Sequence, residues 1–466
     1  MRINKRLAPF IGDKAFYKML MGISLPIMLQ NGLTNLVSLL DNMMVGAVGT
    51  EQMSGVSIVN QLFFVFNLCI FGGLGGAGIF TAQFYGKKDH EGVRHTFRFK
   101  LLLALILFVA GLSILLLFGD NLISLYLHDG SDTGDIAATA AYGRDYLLVM
   151  LWGLLPFALK ECYAGTLRES GETVLPMKAG ITAIFVNLVL NWVFIFGNLG
   201  APAMGVAGAA LATVISRVVE CLIVVLWTHR NVERAPFIIG AYKSAYIPTS
   251  LTKQIFLRGM PLLANEFLWS AGVATLNQCY SMRGLAVVAA MNISSTIANL
   301  FCVIWMSFGT SVSIIVGQQL GANEFEMAKT SVKRIMAFSI AVSLLGTLLL
   351  LAAAPLFPML YNTTEEVRSI ATGMLVIVAF YAPMQAFLHT TYFTLRSGGK
   401  TVITFIFDSV YLWVISVPLA RILTGSTALP ILVIYAACQY IDILKCALGF
   451  WMVKRGMWIH NIVDQK

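Results

Sequence analysis

The sequence predicts an all-α polytopic membrane protein with twelve transmembrane helices in two pseudo-symmetric six-helix lobes. Composition is the first reason, because 58% of the 466 residues are hydrophobic and only 12% are charged, whereas soluble domains carry about 25% charged residues. Apolar runs long enough to cross a bilayer, such as residues 101–118 and 337–356, recur between short polar connections. An internal repeat is the third reason. Together these observations exclude a water-soluble protein.

Hydropathy places twelve spans at residues 18–46, 54–84, 99–126, 138–166, 174–197, 204–228, 254–282, 286–317, 330–360, 368–394, 402–421 and 429–453. The first is a retained span, because its apolar run continues from Met19 to Val48 without a small-residue cleavage site. We expect an N-terminal lobe over residues 1–228, a cytoplasmic linker over 229–253 and a C-terminal lobe over 254–466.

Basic residues are distributed unequally between the two sides of the predicted bundle. The side that carries the N-terminus receives many of them, including Arg2, Lys5, Arg6, Lys87, Lys88, Arg230 and Lys253, whereas the opposite side receives only Arg144, Arg283, Arg368 and Arg421. Positively charged connections stay in the cytoplasm, so we expect both termini there, in a multi-pass protein of the plasma or inner membrane. The formal net charge of +9 then needs no nucleic-acid partner.

Two short sequence matches reveal an internal repeat. Residues 83–86, Gln-Phe-Tyr-Gly, align with residues 318–321, Gln-Gln-Leu-Gly, at a shift of 235. Residues 167–174 align with residues 395–402 at a shift of 228 and share five of eight residues. Two similar shifts in corresponding connections indicate a duplicated unit. Six spans per unit give both halves the same orientation, as in secondary transporters with parallel repeats.

Polar residues inside the first half form the main candidate site. Asp41 lies five residues before the outer end of the first span and is flanked by apolar residues. Asn187 and Asn191 are four apart and share one face of the fifth span. Asn191 lies at a depth similar to that of Asp41, so the two are expected to meet, together with Asn60, Gln61 and Thr213. A carboxylate among amide and hydroxyl oxygens suits a coupling cation or a proton; ordinary hydrogen bonding between helices is the alternative.

Other ionisable residues inside the spans divide into two groups. Glu266 in the seventh span and Asp408 in the eleventh are candidates for a cavity lining or a proton relay. Arg217 with Glu220, and Asp442 with Lys445, are each three apart in the last span of a half. We expect these two to be structural intrahelical ion pairs.

Enzymatic and metal-binding motifs are lacking in this sequence. The seven cysteines show no paired spacing, and no HExxH helix or Ser/His/Asp order occurs. His389 is the only histidine deep within a span, where polar packing suits it. The expectation is a non-enzymatic, monomeric protein without a cofactor, a partner only to the bilayer and to small organic molecules.

The chain resembles the multidrug and toxic compound extrusion (MATE) transporters over essentially its full length. Pro26 followed by Asp41-Asn-Met-Met-Val-Gly, residues 82–86 after the second span, residues 167–173, and residues 205–213 in the sixth span carry the resemblance. It implies an antiporter that expels organic, often cationic, compounds in exchange for H⁺ or Na⁺. It also implies that Asp41 is the essential carboxylate of the N-terminal lobe, with Asn187 and Thr213 as cation-site positions that could share Na⁺ with it.

Asn191 departs from the family pattern, since similar proteins carry a second acid there. The substitution removes a negative charge from the site, which favours a proton over sodium. The halves also differ, because a shift of 235 places Leu276 opposite Asp41. A lipid-linked precursor flippase of a related two-lobe fold is the alternative function; it would require a strongly basic central cavity, whereas few basic residues lie within the spans.

Overall fold

The computed structural model describes residues 8–126 and 135–464, so the basic residues Arg2, Lys5 and Arg6 lie outside the described part. Twelve long helices account for most of this part. They are α1 Lys14–Gly46, α2 Thr50–Gly86, α3 His90–Ser124, α4 Ile136–Glu169, α5 Val174–Phe196, α6 Gly205–Arg230, α7 Thr249–Ser281, α8 Leu285–Gly321, α9 Phe325–Ala353, α10 Glu365–Ser397, α11 Thr401–Ser426 and α12 Ile431–Lys454. Short 3₁₀ helices follow or precede them at Ala8–Phe10, Asn198–Gly200, Pro236–Ile238 and Phe357–Leu360.

Eleven of these helices are long and apolar enough to cross a membrane. The remaining helix, α7, has the length but also carries Lys253, Arg258 and Glu266, which lower its hydropathy. Large apolar side chains face outward along the bundle; Leu117 on α3 is 75% exposed and Trp152 on α4 is 78% exposed. A protein in water would bury such surfaces, whereas lipid solvates them. The predicted membrane fold is therefore confirmed.

The ninth predicted span, residues 330–360, is corrected by the structure. Helix α9 ends at Ala353, and a separate 3₁₀ turn covers Phe357–Leu360. Pro355 and Pro358 explain the earlier end, because a proline in the helix interior lacks a backbone donor and clashes with the preceding turn. The apolar composition continues past the helix, which is why hydropathy alone placed the end too late.

The duplicated unit is visible in the helix boundaries. Helices α1 and α7, and likewise α2 and α8, begin and end 235 residues apart, and α3 and α9 also begin 235 residues apart. The offset between α4 and α10 is smaller, at 229 residues for their first residues and 228 for their last. The change of offset therefore falls between the third and fourth helices of each half, which explains why the two sequence matches have different shifts.

Two helices are locally irregular, and a proline follows each irregularity. A 3₁₀ turn at Leu151–Gly153 interrupts α4 just before Pro156. Helix α11 is π-helical over Ile406–Val410 and Leu412–Ser416, just before Pro418. Since proline cannot donate to the carbonyl four residues earlier, the preceding turn tightens or widens. The π-helical turns matter because Asp408 lies in the first of them.

Contacts divide the chain into two compact units. The N-terminal unit comprises Leu29–Thr81 and His90–Lys253; the C-terminal unit comprises Met1–Met28, Ala82–Asp89 and Gln254–Lys466. The core of the C-terminal unit packs aromatic and aliphatic side chains of α1, α8, α9, α10 and α12, among them Leu20, Phe308, Ile335, Leu395 and Trp458. The beginning of α1 and the end of α2 thus pack with the second half of the chain.

The ends of α2 and α8 cross within the C-terminal unit at two glycines. A Cβ atom placed on Gly86 would overlap the carbonyl oxygen of Gln318, and one on Gly321 would overlap the carbonyl oxygen of Gln83. These are the residues of the first repeat match, so the duplicated motifs pack against each other reciprocally. Only glycine allows so close a backbone approach.

The C-terminal segment packs over this crossing. The fully buried Gln83 amide donates to Ser397 O at 2.9 Å and to His460 O at 3.2 Å, and its oxygen accepts from Ile462 N at 2.8 Å. Asp464 pairs with Lys87 and accepts from Asn323 at 2.8 Å. The segment therefore ties together the ends of α2, α8 and α10.

Candidate functional site

Helices α1, α5 and α6 bring four of the predicted site residues together in the N-terminal unit. Asn191 Nδ2 donates to Asp41 Oδ1 at 2.6 Å. One terminal atom of the Asn187 amide lies 2.9 and 3.2 Å from the two Asp41 carboxylate oxygens, and the other lies 3.3 Å from Thr213 Oγ1. The four side chains thus form a continuous polar chain from α1 to α6.

Helical spacing explains how the sequence builds this cluster. Asn187 and Asn191 are one turn apart on α5, so both amides face the same neighbours. The Thr213 hydroxyl donates to Ala209 O at 3.0 Å one turn earlier on α6, which fixes its rotamer. Asp41 lies near the end of α1, well beyond the proline at residue 26.

The Asn187 amide can be oriented in two ways, and each satisfies a different form of Asp41. With its nitrogen toward Asp41, it donates to an ionised carboxylate and accepts from Thr213. With its oxygen toward Asp41, it can accept a proton from a neutral carboxyl group and donate to Thr213, whose own hydrogen remains on Ala209 O. Amide orientations are assigned from such networks. The cluster therefore accommodates Asp41 both with and without a proton.

Burial makes the charge of Asp41 costly. Asn187 is 6% exposed and Asn191 is 1% exposed, while Asp41 itself is half-buried. Among the ion pairs of the described residues, none includes Asp41. Asn191 Oδ1 is buried without a hydrogen-bond partner among the same residues. A carboxylate without a basic partner, beside an unused acceptor oxygen, can take up a proton or a small cation.

The other two predicted members, Asn60 and Gln61, lie on α2. Asn60 Oδ1 accepts from the hydroxyl of the buried Tyr146 at 3.3 Å, and the side chain of Gln61 is exposed. Tyr146, on α4, is within electrostatic range of both Asp41 and Arg217. Tyr146 was missed in the sequence because it lies only one residue beyond the charged pair at residues 144 and 145, as though at a helix end.

The structure corrects the predicted pairing of Arg217 with Glu220. Glu220 instead lies 3.6 Å from Lys160 on α4. Lys160 also contacts Glu161 at 2.5 Å. The Arg217 guanidinium lies over the ring of Phe157, 5.2 Å from its centroid. Packing of α6 against α4 brings these groups closer together than the three-residue spacing on α6 does.

The pairing of Asp442 with Lys445 is corrected in the same way. Lys445 Nζ lies 2.7 Å from Asp408 Oδ1 on α11, and Asp442 accepts from the Tyr381 hydroxyl on α10. Helix α12 has a turn at residues 441–442 between its two helical segments, which disturbs the regular geometry that an intrahelical pair requires.

Asp408 is the centre of a second polar cluster, in the C-terminal unit. Its second oxygen accepts from Asn265 Nδ2 at 3.2 Å, and Asn265 also donates to Tyr392 at 3.3 Å. Glu266, the next residue on α7, is half-buried, with Arg396 and Asp408 as its neighbouring charges. The buried Asn265 was overlooked as a site residue, although a lone amide inside an apolar run was the available signal. His389 is within electrostatic range of Asp408 and Lys445.

Comparison with known proteins places the chain in a family. The MatE family model matches residues 26–193 and 261–444. The probable multidrug resistance protein NorM of Thermotoga maritima is 26% identical over 446 residues, covering 95% of this chain and 93% of that protein. The probable multidrug resistance protein YoeA of Bacillus subtilis is 26% identical over 412 residues, covering 87% of each chain.

A solved structure shares the fold. It is described as the outward-facing conformation of a multidrug resistance MATE family transporter of the MOP superfamily, and it superposes with a TM-score of 0.84 at 22% identity, covering 98% of each chain. At this identity the likeness establishes the twelve-helix fold. The family match covers both halves of the chain, including Asp41, Asn187, Glu266 and Asp408. The protein therefore belongs to the MatE family of membrane transporters.

Proposed function

We propose that the protein is a secondary active efflux antiporter, which exports organic, cationic or drug-like compounds in exchange for H⁺ or Na⁺ by alternating access. Membership of the MatE family and the multidrug resistance names of its relatives support the efflux of organic compounds. The observation that supports coupling is the geometry of Asp41, a carboxylate held by neutral amides and unpaired with any described basic group.

Proton coupling would use the two hydrogen-bonding arrangements of Asn187. When Asp41 is ionised, Asn187 and Asn191 both donate to it. When Asp41 takes a proton, the Asn187 amide turns over, accepts from the carboxyl group and donates to Thr213. Each state keeps its hydrogen bonds, so uptake and release of the proton avoid a large penalty for unpaired buried groups. Burial alone would have left one state without partners.

Sodium coupling would use the same oxygen atoms. Asp41, Thr213 Oγ1 and the unpartnered Asn191 Oδ1 are hard ligands that suit a small cation. Only one of them carries a charge, and among the described residues there is no group of three His, Cys, Asp or Glu side chains that could hold a metal ion. One carboxylate suffices for a proton, so we favour H⁺ as the coupling ion.

The remaining parts of the proposal concern topology. We propose a monomer in the cell membrane with both termini in the cytoplasm, because basic residues are concentrated in the connections on that side. We propose lobes at residues 1–228 and 254–466 with a cytoplasmic linker between them. Asn60, Gln61, Glu266 and Asp408 remain candidates for the cavity lining or a proton relay.

Transport in proteoliposomes tests the coupling. Purified protein is reconstituted, a proton or a sodium gradient is imposed separately, and the movement of ethidium is followed by fluorescence. We expect the proton gradient to drive ethidium transport by the wild type and Asp41→Asn to abolish it. Asp120→Asn is the matched control, since it makes the same change at an exposed acid that pairs with Arg144 at 3.6 Å. Normal coupled efflux by Asp41→Asn would refute the role of Asp41.

A further inference from the structure

A lysine ammonium group in the C-terminal unit lies in surroundings that would also suit a free organic cation. Lys445 Nζ is 2.7 Å from Asp408 Oδ1. It lies over two aromatic rings, 5.1 Å from the Phe407 centroid and 5.8 Å from the Tyr411 centroid. A carboxylate combined with aromatic faces is the arrangement by which proteins recognise organic cations.

The carboxylate is held in place by contacts other than the lysine. Asn265 Nδ2 donates to Asp408 Oδ2 at 3.2 Å. Asn265 is itself fixed by the hydroxyl of Ser409, which donates to its side-chain oxygen at 2.7 Å and to its backbone oxygen at 2.9 Å. Phe407, Asp408 and Ser409 lie together in the π-helical turn of α11, a feature frequent at functional sites. The arrangement would therefore persist if the ammonium group moved away.

Lys445 is also able to move. Its side chain is 12% exposed and that of Asp408 is 20% exposed, so the pair is not sealed from its surroundings. The ammonium group is carried on a flexible four-carbon chain. A buried pair with a purely structural role is the competing explanation, but that role needs only the carboxylate and gives no reason for two aromatic faces around the ammonium group.

We propose that Asp408, Phe407 and Tyr411 form a binding site for a monovalent organic cation, and that Lys445 occupies this site when no such cation is bound. The proposal rests on the function proposed above, because it assigns a location to the cationic substrate class. Binding of the cation displaces Lys445 from Asp408, and release of the cation lets the lysine return. The remaining acids near this site, Asp442 and Glu266, keep its surroundings negative when the lysine leaves.

Binding of tetraphenylphosphonium to purified protein, measured by equilibrium dialysis, tests the site. Lys445→Met removes the competing ammonium group, so we expect the Kd to fall roughly tenfold, the ratio that about 1.4 kcal/mol gives. Lys445→Met combined with Asp408→Asn should return the Kd to the wild-type value or above it. Lys100→Met is the matched control, because Lys100 is a buried lysine paired with Glu169 in the N-terminal unit, and its removal should leave the Kd unchanged.

A second measurement needs no substitution and keeps the proposal testable if Lys445→Met fails to fold. Displaced from Asp408, Lys445 should react faster with a permeant amine-acetylating reagent when tetraphenylphosphonium is present, while Lys100 should not. An unchanged Kd in folded Lys445→Met, an equal gain in Lys100→Met, or no change in Lys445 labelling would each overturn the site. If the wild type still transports the cation, only this inference fails; if it neither binds nor transports any organic cation, the proposed function fails with it.

Discussion

Substituting the two glycines at the crossing of α2 and α8 should destabilise the protein. A Cβ atom on Gly321 would lie 2.5 Å from the carbonyl carbon of Gln83, and one on Gly86 would lie 2.5 Å from that of Gln318. Both distances are about 1 Å inside the optimal separation of two carbon atoms. Because the obstructing atoms belong to the backbone, no side-chain rotation relieves the overlap, and the helices must separate.

Gly321→Ala should therefore cost roughly 1–3 kcal/mol through overpacking, against at most about 1 kcal/mol gained from replacing a helical glycine. Gly86→Ala should cost a similar amount. The double variant should cost less than the two single costs combined, since one separation of the helices relieves both overlaps.

Thermal unfolding in detergent, followed by tryptophan fluorescence, measures these effects. Gly22→Ala is the control, because nothing lies within 4 Å of its added Cβ atom, so its melting temperature should equal or exceed that of the wild type. Single variants as stable as Gly22→Ala, or strictly additive losses in the double variant, would refute the reasoning.

Three further predictions concern the polar contacts. Gln83→Leu leaves the backbone partners Ser397 O and Ile462 N without their hydrogen bonds, at about 1–3 kcal/mol for each buried group, so hydrogen exchange of residues 457–464 should accelerate; unchanged exchange would contradict the tie described above. Asn191→Asp adds a second carboxylate beside Asp41 and should increase the sodium-driven share of ethidium transport, and a share equal to that of the wild type would count against the oxygen-ligand argument. Hydrogen bonds from Lys87 and Asn323 hold the pKa of Asp464 below its usual value of 3.8; the lowered pKa stabilises the attached segment above pH 3.8, so exchange of the segment should stay slow at neutral pH and quicken only as the pH falls through the lowered pKa.

The helices and the N-terminal cluster were predictable because both depend on one-dimensional patterns. Hydropathy gives the spans, and helical periodicity with depth gives the proximity of Asp41 to Asn191. The same reasoning could not give the position of Asn60, because proximity along α2 does not specify which face of the helix meets α4. The end of α9 required attention to Pro355, a residue that hydropathy scales treat as nearly neutral.

Charge partners were predicted less well for a physical reason. Glu220 and Lys445 each have an oppositely charged residue three positions away on the same helix, and spacing alone makes that pair possible. The observed partners, Lys160 and Asp408, come from neighbouring helices. Which helix packs beside which, and at what rotation, is set by tertiary contacts that a single sequence does not reveal. The repeat in both halves was real, but it repeated positions rather than partners.

The glycine crossing of α2 and α8 has a consequence for motion. Side chains that interdigitate can adjust by changing rotamers, so a contact between them loosens by degrees. Here backbone meets backbone on both sides, and the dispersion attraction between atoms falls steeply over the first ångström of separation. Such a contact is either fully made or almost wholly lost, which favours two discrete arrangements of the helix ends over a continuum. The same glycine motif, present once in each half, lets either helix end leave without disrupting a side chain of the other.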